Sequence, residues 1–240
     1  MIKFFRKIRQ KMLTENKFSK YLIYAIGEIV LVVIGILIAL SINNWNNNKA
    51  ERRLENDILK EILVNLEADI QNIEIKANEN NRFAKHNQLV YEHLKNKTQL
   101  TDSLKYYYSY LWGFGNFQPI KVGYENLKSR GLNIIKNQTL RKEISELYEY
   151  KYYYLVEDNR TAIENIETIH SNQINAKLIT EKSYVSAKPV NLAALQNDIQ
   201  FQETLKSIVF ARWFTNWKYE EGKNEIIKVK KAIENELNKN

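Results

Sequence analysis

The chain has 240 residues, 44% of them apolar and 12% aromatic, enough to bury a core and too apolar for a disordered chain. Seven glycines and two prolines, none between Gly35 and Gly113, argue against most all-β and Rossmann-like folds; the absence of cysteine excludes a disulfide frame, a thiol nucleophile and cysteine-liganded metal sites. The net charge of +8 is not spread over the chain: Met1 to Lys20 carries +6 and the other 220 residues share +2, so no nucleic-acid partner is expected.

Residues 1–20 set Ile2, Phe5, Ile8 and Met12 along one helical face, with the bases Lys3, Arg6, Lys7, Arg9 and Lys11 around it. This is the pattern of an amphipathic segment on anionic lipid, those bases meeting the headgroups. Residues 21–42 read YLIYAIGEIVLVVIGILIALSI, with a single charge. As a helix they rise about 33 Å, against a hydrocarbon core of about 30 Å. Tyr21, Tyr24 and Trp45 mark the two interfaces. The basic excess precedes the span, so the positive-inside rule predicts a cytoplasmic amino terminus and, in a Gram-negative bacterium, a periplasmic body over 43–240. Ala39-Leu40-Ser41 offers a small-x-small cleavage site, but the apolar run is longer than a cleavable signal core, which predicts an uncleaved inner-membrane anchor.

Glu28 stands out because a carboxylate inside a span usually faces protein or water. At 100° per residue Gly35 projects close to it, and Gly27, Leu31 and Ala39 fall on the same side. Gly35-x-x-x-Ala39 is a small-x-x-x-small pair that lets two backbones approach. The face formed by Gly27, Glu28, Leu31, Gly35 and Ala39 therefore reads as a helix–helix contact in a homo-oligomer or with a membrane-protein partner. Snorkelling of Glu28 to cytoplasmic water and a proton or ion path are the alternatives.

Beyond the span, Leu54, Ile58, Ile62, Leu66, Ile70, Ile73 and Ala77 recur every three or four positions and predict one long helix to Lys97. Thr101 caps a short helix to Ser109, and a second short helix around Tyr124 to Ser129 stops at Gly131 as an αL cap. Asn137 or Thr139 opens a long helix toward Ile179, Pro189 closes a linker, and Leu192 to Leu237 is mostly helical, with Leu205, Ile208, Val209, Phe210, Trp213, Trp217, Ile226, Val229 and Ile233 inward. The expected fold is all-α: an amino-terminal transmembrane helix, then an elongated antiparallel helical bundle of coiled-coil character.

The segments FFRKIRQKM, ENKFSKYLIYAIGEIVLVVIGILIAL and NNWN, and later GYENLKSRGLNIIKNQTLR, resemble an uncharacterised family of single-span membrane proteins of flavobacteria-like bacteria, a domain of unknown function. The resemblance covers most of the chain. It implies a largely helical inner-membrane protein without assigned activity, and it carries over no functional residues.

No enzyme motif emerges. Glu167 and His170 fit one Glu-x-x-His pair, whereas a di-iron bundle needs two; His86 and His93 share a face but lack further ligands, and read as solvated or capping histidines. Nucleophile elbows, Walker loops and zinc-protease helices are absent, so no catalytic residue, metal or cofactor is expected. Aromatic residues cluster instead. Five tyrosines between Tyr148 and Tyr154 cannot all face one core, so Tyr106, Tyr110, Trp112, Tyr148, Tyr152, Trp213 and Trp217 are candidates for a partner or ligand surface, against plain packing. The expected function is a non-enzymatic membrane scaffold or accessory module. A proton- or ion-coupled component using Glu28, by analogy of layout with single-span stator proteins, and a periplasmic ligand sensor are the alternatives.

Overall fold

A computed structural model describes residues 18–111 and 116–239, the side chains of Phe18, Lys20, Tyr21 and residues 165–172 excepted. The chain is mostly helical and forms two units, Met1–Glu55 and Asn56–Asn240.

Helix α1 spans Phe18–Lys95 without a break, as expected of a stretch that lacks glycine and proline after Gly35. Its segment from Leu22 to Ile42 presents its large apolar side chains to the outside. This helix is long and apolar enough to cross a membrane.

In the second unit α1 buries Ile58, Leu59, Ile62, Leu66, Ile73, Phe83, Val90 and Leu94. Each such side chain contributes about 1.5–3 kcal/mol. Lys97, at φ 52°, reverses the chain. Helix α2 (Asp102–Tyr108) follows, with the Thr101 hydroxyl accepting from the Leu104 amide. Helix α3 (Val122–Arg130) ends at Gly131, whose φ of 105° with ψ of 127° is a conformation suited to glycine but is not the expected αL cap. A 3₁₀ turn (Leu132–Ile134) leads to α4 (Gln138–Glu146), capped by Asn137. A π-turn (Leu147–Lys151) joins α4 to α5 (Tyr152–Lys177).

Here the structure departs from an all-α fold. Helix α5 gives way at Leu178 to an antiparallel hairpin, β1 (Leu178–Lys182) and β2 (Ser186–Pro189), turned at Tyr184 with φ 55°. Pro189 lies in a strand rather than a linker. Helices α6 (Leu192–Gln196) and α7 (Ile199–Leu237), capped by Asn191 and Asp198, complete the chain.

Cross-helix pairs give the directions. Lys230, Lys223 and Asn216 of α7 meet Glu67, Glu74 and Asn80 of α1, and Glu225, Lys218 and Asp198 meet Lys151, Asp158 and Lys177, so α7 runs antiparallel to both α1 and α5. The expectation of three alternating helices is thereby corrected: α1 and α4–α5 are parallel. The return leg is the broken segment 102–135, whose Ile120, Gly123 and Asn126 descend past Asp69, Asn65 and Glu61. Its two short helices are separated by a stretch containing Gly113, Gly115 and Pro119, which keeps it from reading as a helix of its own. At the hairpin end Val90, Leu94, Tyr108, Leu111, Ile174, Leu178, Ala187, Phe201 and Leu205 meet in one core.

Candidate functional site

In the apolar part of α1, Gly27, Glu28, Leu31, Gly35 and Ala39 lie on one side, and Tyr24, Gly27, Glu28, Leu31 and Val32 line a shallow groove. Among the described residues a Cβ added at Gly27 or Gly35 would touch nothing, so neither glycine is explained by packing against them. Glu28 is half-buried, and Leu31 is exposed. Lys3, Arg6, Lys7, Arg9 and Lys11 lie outside the described residues, as does Trp112.

The aromatic candidates separate into two groups. Tyr148 and Tyr152 are buried and leave the candidate surface. The π-turn widens the helix between them, and both rings point inward against Tyr124 and Phe117. Tyr150, Tyr153 and Tyr154 point outward, the division that five tyrosines in seven positions required. Trp213 and Trp217 are exposed with Phe210 and Phe214; the expectation that Phe210, Trp213 and Trp217 face inward fails. Leu205, Ile208, Arg212, Thr215 and Tyr219 form the inner face of α7, and at 100° per residue the four aromatics lie about 180° from it.

Tyr106 and Tyr110 are half-buried around His86. Its ring stacks on Tyr107 at 4.7 Å and meets Tyr106 and Tyr110 edge-on at 5.4 and 5.6 Å. His86 and His93 are thus buried, not solvated, because their i, i+7 spacing lies on the inner stripe of α1 with Phe83, Val90 and Leu94. Burial holds both imidazoles below their usual pKa, and for His86 the charges of Arg82, Arg212 and Lys85 add to it. His93 Nδ1 lies 2.7 Å from the Thr98 hydroxyl. The side chains of Glu167 and His170 are outside those described; among the described residues no group of three or more His, Asp or Glu side chains could hold a metal ion.

Two polar constructions were not anticipated. Asp69 is buried, accepting from the Ile120 amide at 3.0 Å and the Tyr152 hydroxyl at 2.7 Å. Burial raises its pKa, the two hydrogen bonds opposing. Arg212 is fully buried on α7, its Nε donating to Asn87 Oδ1 at 2.9 Å and its Nη1 to Asn80 Oδ1 at 3.1 Å, while Asn80 Nδ2 donates to the Arg212 carbonyl at 2.9 Å. Burial lowers its pKa to about 9, and the guanidinium remains protonated at neutral pH. The signal for both was present in the sequence: Asp69, Asn80 and Asn87 interrupt the apolar stripe of α1 at helical spacing.

The GYENLKSRGLNIIKN stretch is equally structural. Gly123 comes so close to α1 that an added Cβ would lie 3.0 Å from the Ile62 nitrogen; Tyr124 stacks on Tyr148 at 4.6 Å; Asn126 donates to Glu61 at 2.8 Å. A family model, described as a family of unknown function (DUF6090), matches residues 28–182. The chain belongs to this family. The DUF6090 match runs from Glu28 through the return leg to the end of β1, so it includes the Asp69–Tyr152 contact and stops before α7 and Arg212. No curated protein and no solved structure matches the chain.

Proposed function

We propose that this DUF6090 protein is a non-enzymatic, single-span inner-membrane protein whose body is an oligomerisation or partner-binding module. The observation that carries the reading is the apolar segment of α1: from Leu22 to Ile42 its large side chains are exposed, and Gly27 and Gly35 leave room that no described residue fills. In lipid such a helix is satisfied on its backbone, and close approach of small residues supplies the packing that favours a second helix. The basic head supports a cytoplasmic amino terminus held on anionic lipid, with the body in the periplasm.

The body supports an architectural role. Asp69, Arg212 and the residues of the GYENL stretch tie one leg to another, which rigidifies a fold rather than opening a site.

Cysteine cross-linking in membranes tests the reading, since the chain has no cysteine of its own. Single cysteines at Leu31 and Ala39 should cross-link, and cysteines on the opposite side of the span should not. Protease added to osmotically opened cells should remove the body and spare the head. Protection of the carboxyl terminus until the inner membrane is dissolved would reverse the orientation.

A further inference from the structure

Helix α7 carries a second apolar stripe that its own fold does not use. Phe210, Trp213, Phe214 and Trp217 follow the i, i+3, i+4, i+7 spacing of one helical face and are 68, 60, 37 and 57% exposed. Taking about 200 Å² per aromatic side chain, they leave about 450 Å² of aromatic surface open, within the size range of the largest patch on a typical monomer. Lys218, tied to Asp158 at 3.1 Å, lies 4.9 Å over the Trp217 ring and braces it.

We propose that this face docks on a second copy of the chain, α7 against α7 in antiparallel sense. The proposal rests on the reading of the body as an interaction module and names its partner. Charge selects both the partner and the direction. From the midpoint between Trp213 and Phe214, Lys206 lies about 11 Å along the helix one way, and Glu220 and Glu221 lie about 10 and 11 Å the other way, within the same sector. A two-fold axis through that midpoint sets Lys206 of each copy level with Glu220 and Glu221 of the other. Phe210 then comes level with Trp217, and Trp213 and Phe214 gather at the axis. Parallel pairing would oppose lysine to lysine and acid to acid.

The charges are available for exchange. Lys206 is held by Glu203 at 2.6 Å in an exposed pair that contributes little to the fold; Glu220 and Glu221 are exposed partners of the half-buried Lys223 at 2.9 Å and Lys218 at 3.3 Å, which keep Glu74 and Asp158 when the acids turn outward. Two aromatic faces bury about 900 Å² together, and the charged rim carries the interface past the roughly 1,000 Å² expected of a specific one.

The test uses the full chain in detergent. A mixture of Lys206→Cys and Glu221→Cys chains should give a mixed cross-link, while Lys206→Cys alone gives none, its copies lying about 22 Å apart. Trp213→Asp should weaken association about tenfold or more in sedimentation, with helicity unchanged by circular dichroism. Lys206→Glu should weaken it as well, and adding Glu220→Lys and Glu221→Lys in the same chain should restore it. Self-cross-linking at Lys206→Cys without the mixed product would overturn the antiparallel pairing. Absence of all α7 cross-links, with Trp213 and Trp217 quenched by brominated lipid in vesicles, would give the face to the membrane and overturn the second copy as its occupant. If cross-links at Leu31 and Ala39 persist in that case, the broader reading stands; if they are lost too, both fail.

Discussion

The Tyr152 hydroxyl donates to the Asp69 carboxylate at 2.7 Å across the interface between α5 and α1, and the Ile120 amide of the return leg donates to the other carboxylate oxygen. Three legs of the body therefore meet on one buried acid. Because burial raises the Asp69 pKa, the sign is opposite to that of a salt-bridged carboxylate: its contribution is most favourable below about pH 4 and declines as pH rises through the raised value. Tyr152→Phe removes a hydrogen bond that opposes this rise. It should destabilise the body by about 1–3 kcal/mol, more at pH 7 than at pH 4, in urea unfolding followed by near-ultraviolet circular dichroism. Equal losses at both pH values would mean that Asp69 does not titrate through its buried contact.

Arg212 gives a prediction of different character, since its guanidinium satisfies Asn80 and Asn87 together and passes 5.4 Å from the Phe83 ring. Arg212→Ala leaves both amides short of a donor and opens a cavity, and should cost about 3 kcal/mol or more. Arg212→Lys keeps the charge but cannot reproduce the fork, and should recover only part of that loss. Full recovery by lysine in thermal unfolding would show that charge, not geometry, is what the site requires.

The two buried histidines predict an acid limit. Both pKa values are lowered, so their contribution is fully present above the unfolded value of about 6.5 and is lost as pH falls below it, when the ring must charge among Arg82, Lys85 and Arg212 or in the pocket beside Tyr108. Stability should drop as pH falls below about 6.5, and His86→Phe with His93→Gln should flatten that drop. An unchanged acid profile in the double variant, followed by thermal unfolding, would assign the limit to other groups.

Much of this architecture is legible from periodicity. The Thr101 and Asn137 caps and the long helices follow from side-chain chemistry local to each segment, and the division of the tyrosines follows from helix geometry. What escaped depends on partners far away in sequence. The helix end near Ile179 is legible, but the linker expected after it is the hairpin Leu178–Pro189, which has no glycine at its turn and packs its inner side into the core around Ala187 and Leu195. The aromatics of α7 misled for a related reason: hydrophobicity alone cannot tell which of two stripes on one helix faces the core, and Arg212, the polar residue between them, is the one that goes inside.

Glu28 decides between packing and ion coupling in the span. If the residue serves a helix contact, Glu28→Gln keeps its size and hydrogen-bonding capacity, so assembly and function should survive, while Gly35→Leu should abolish cross-linking by filling the space that no described residue occupies. If it carries protons, the order reverses: Glu28→Gln removes the titratable group and abolishes function with assembly intact, and Glu28→Asp retains part of it. If it only reaches toward cytoplasmic water, none of the three changes matters. Membrane cross-linking beside a growth phenotype separates these outcomes. The packing result is the one expected, because close approach of small residues at Gly27, Gly35 and Ala39 needs only a second helix, whereas a proton path needs further polar groups along the span, and Leu31, Gly35 and Ala39 supply none.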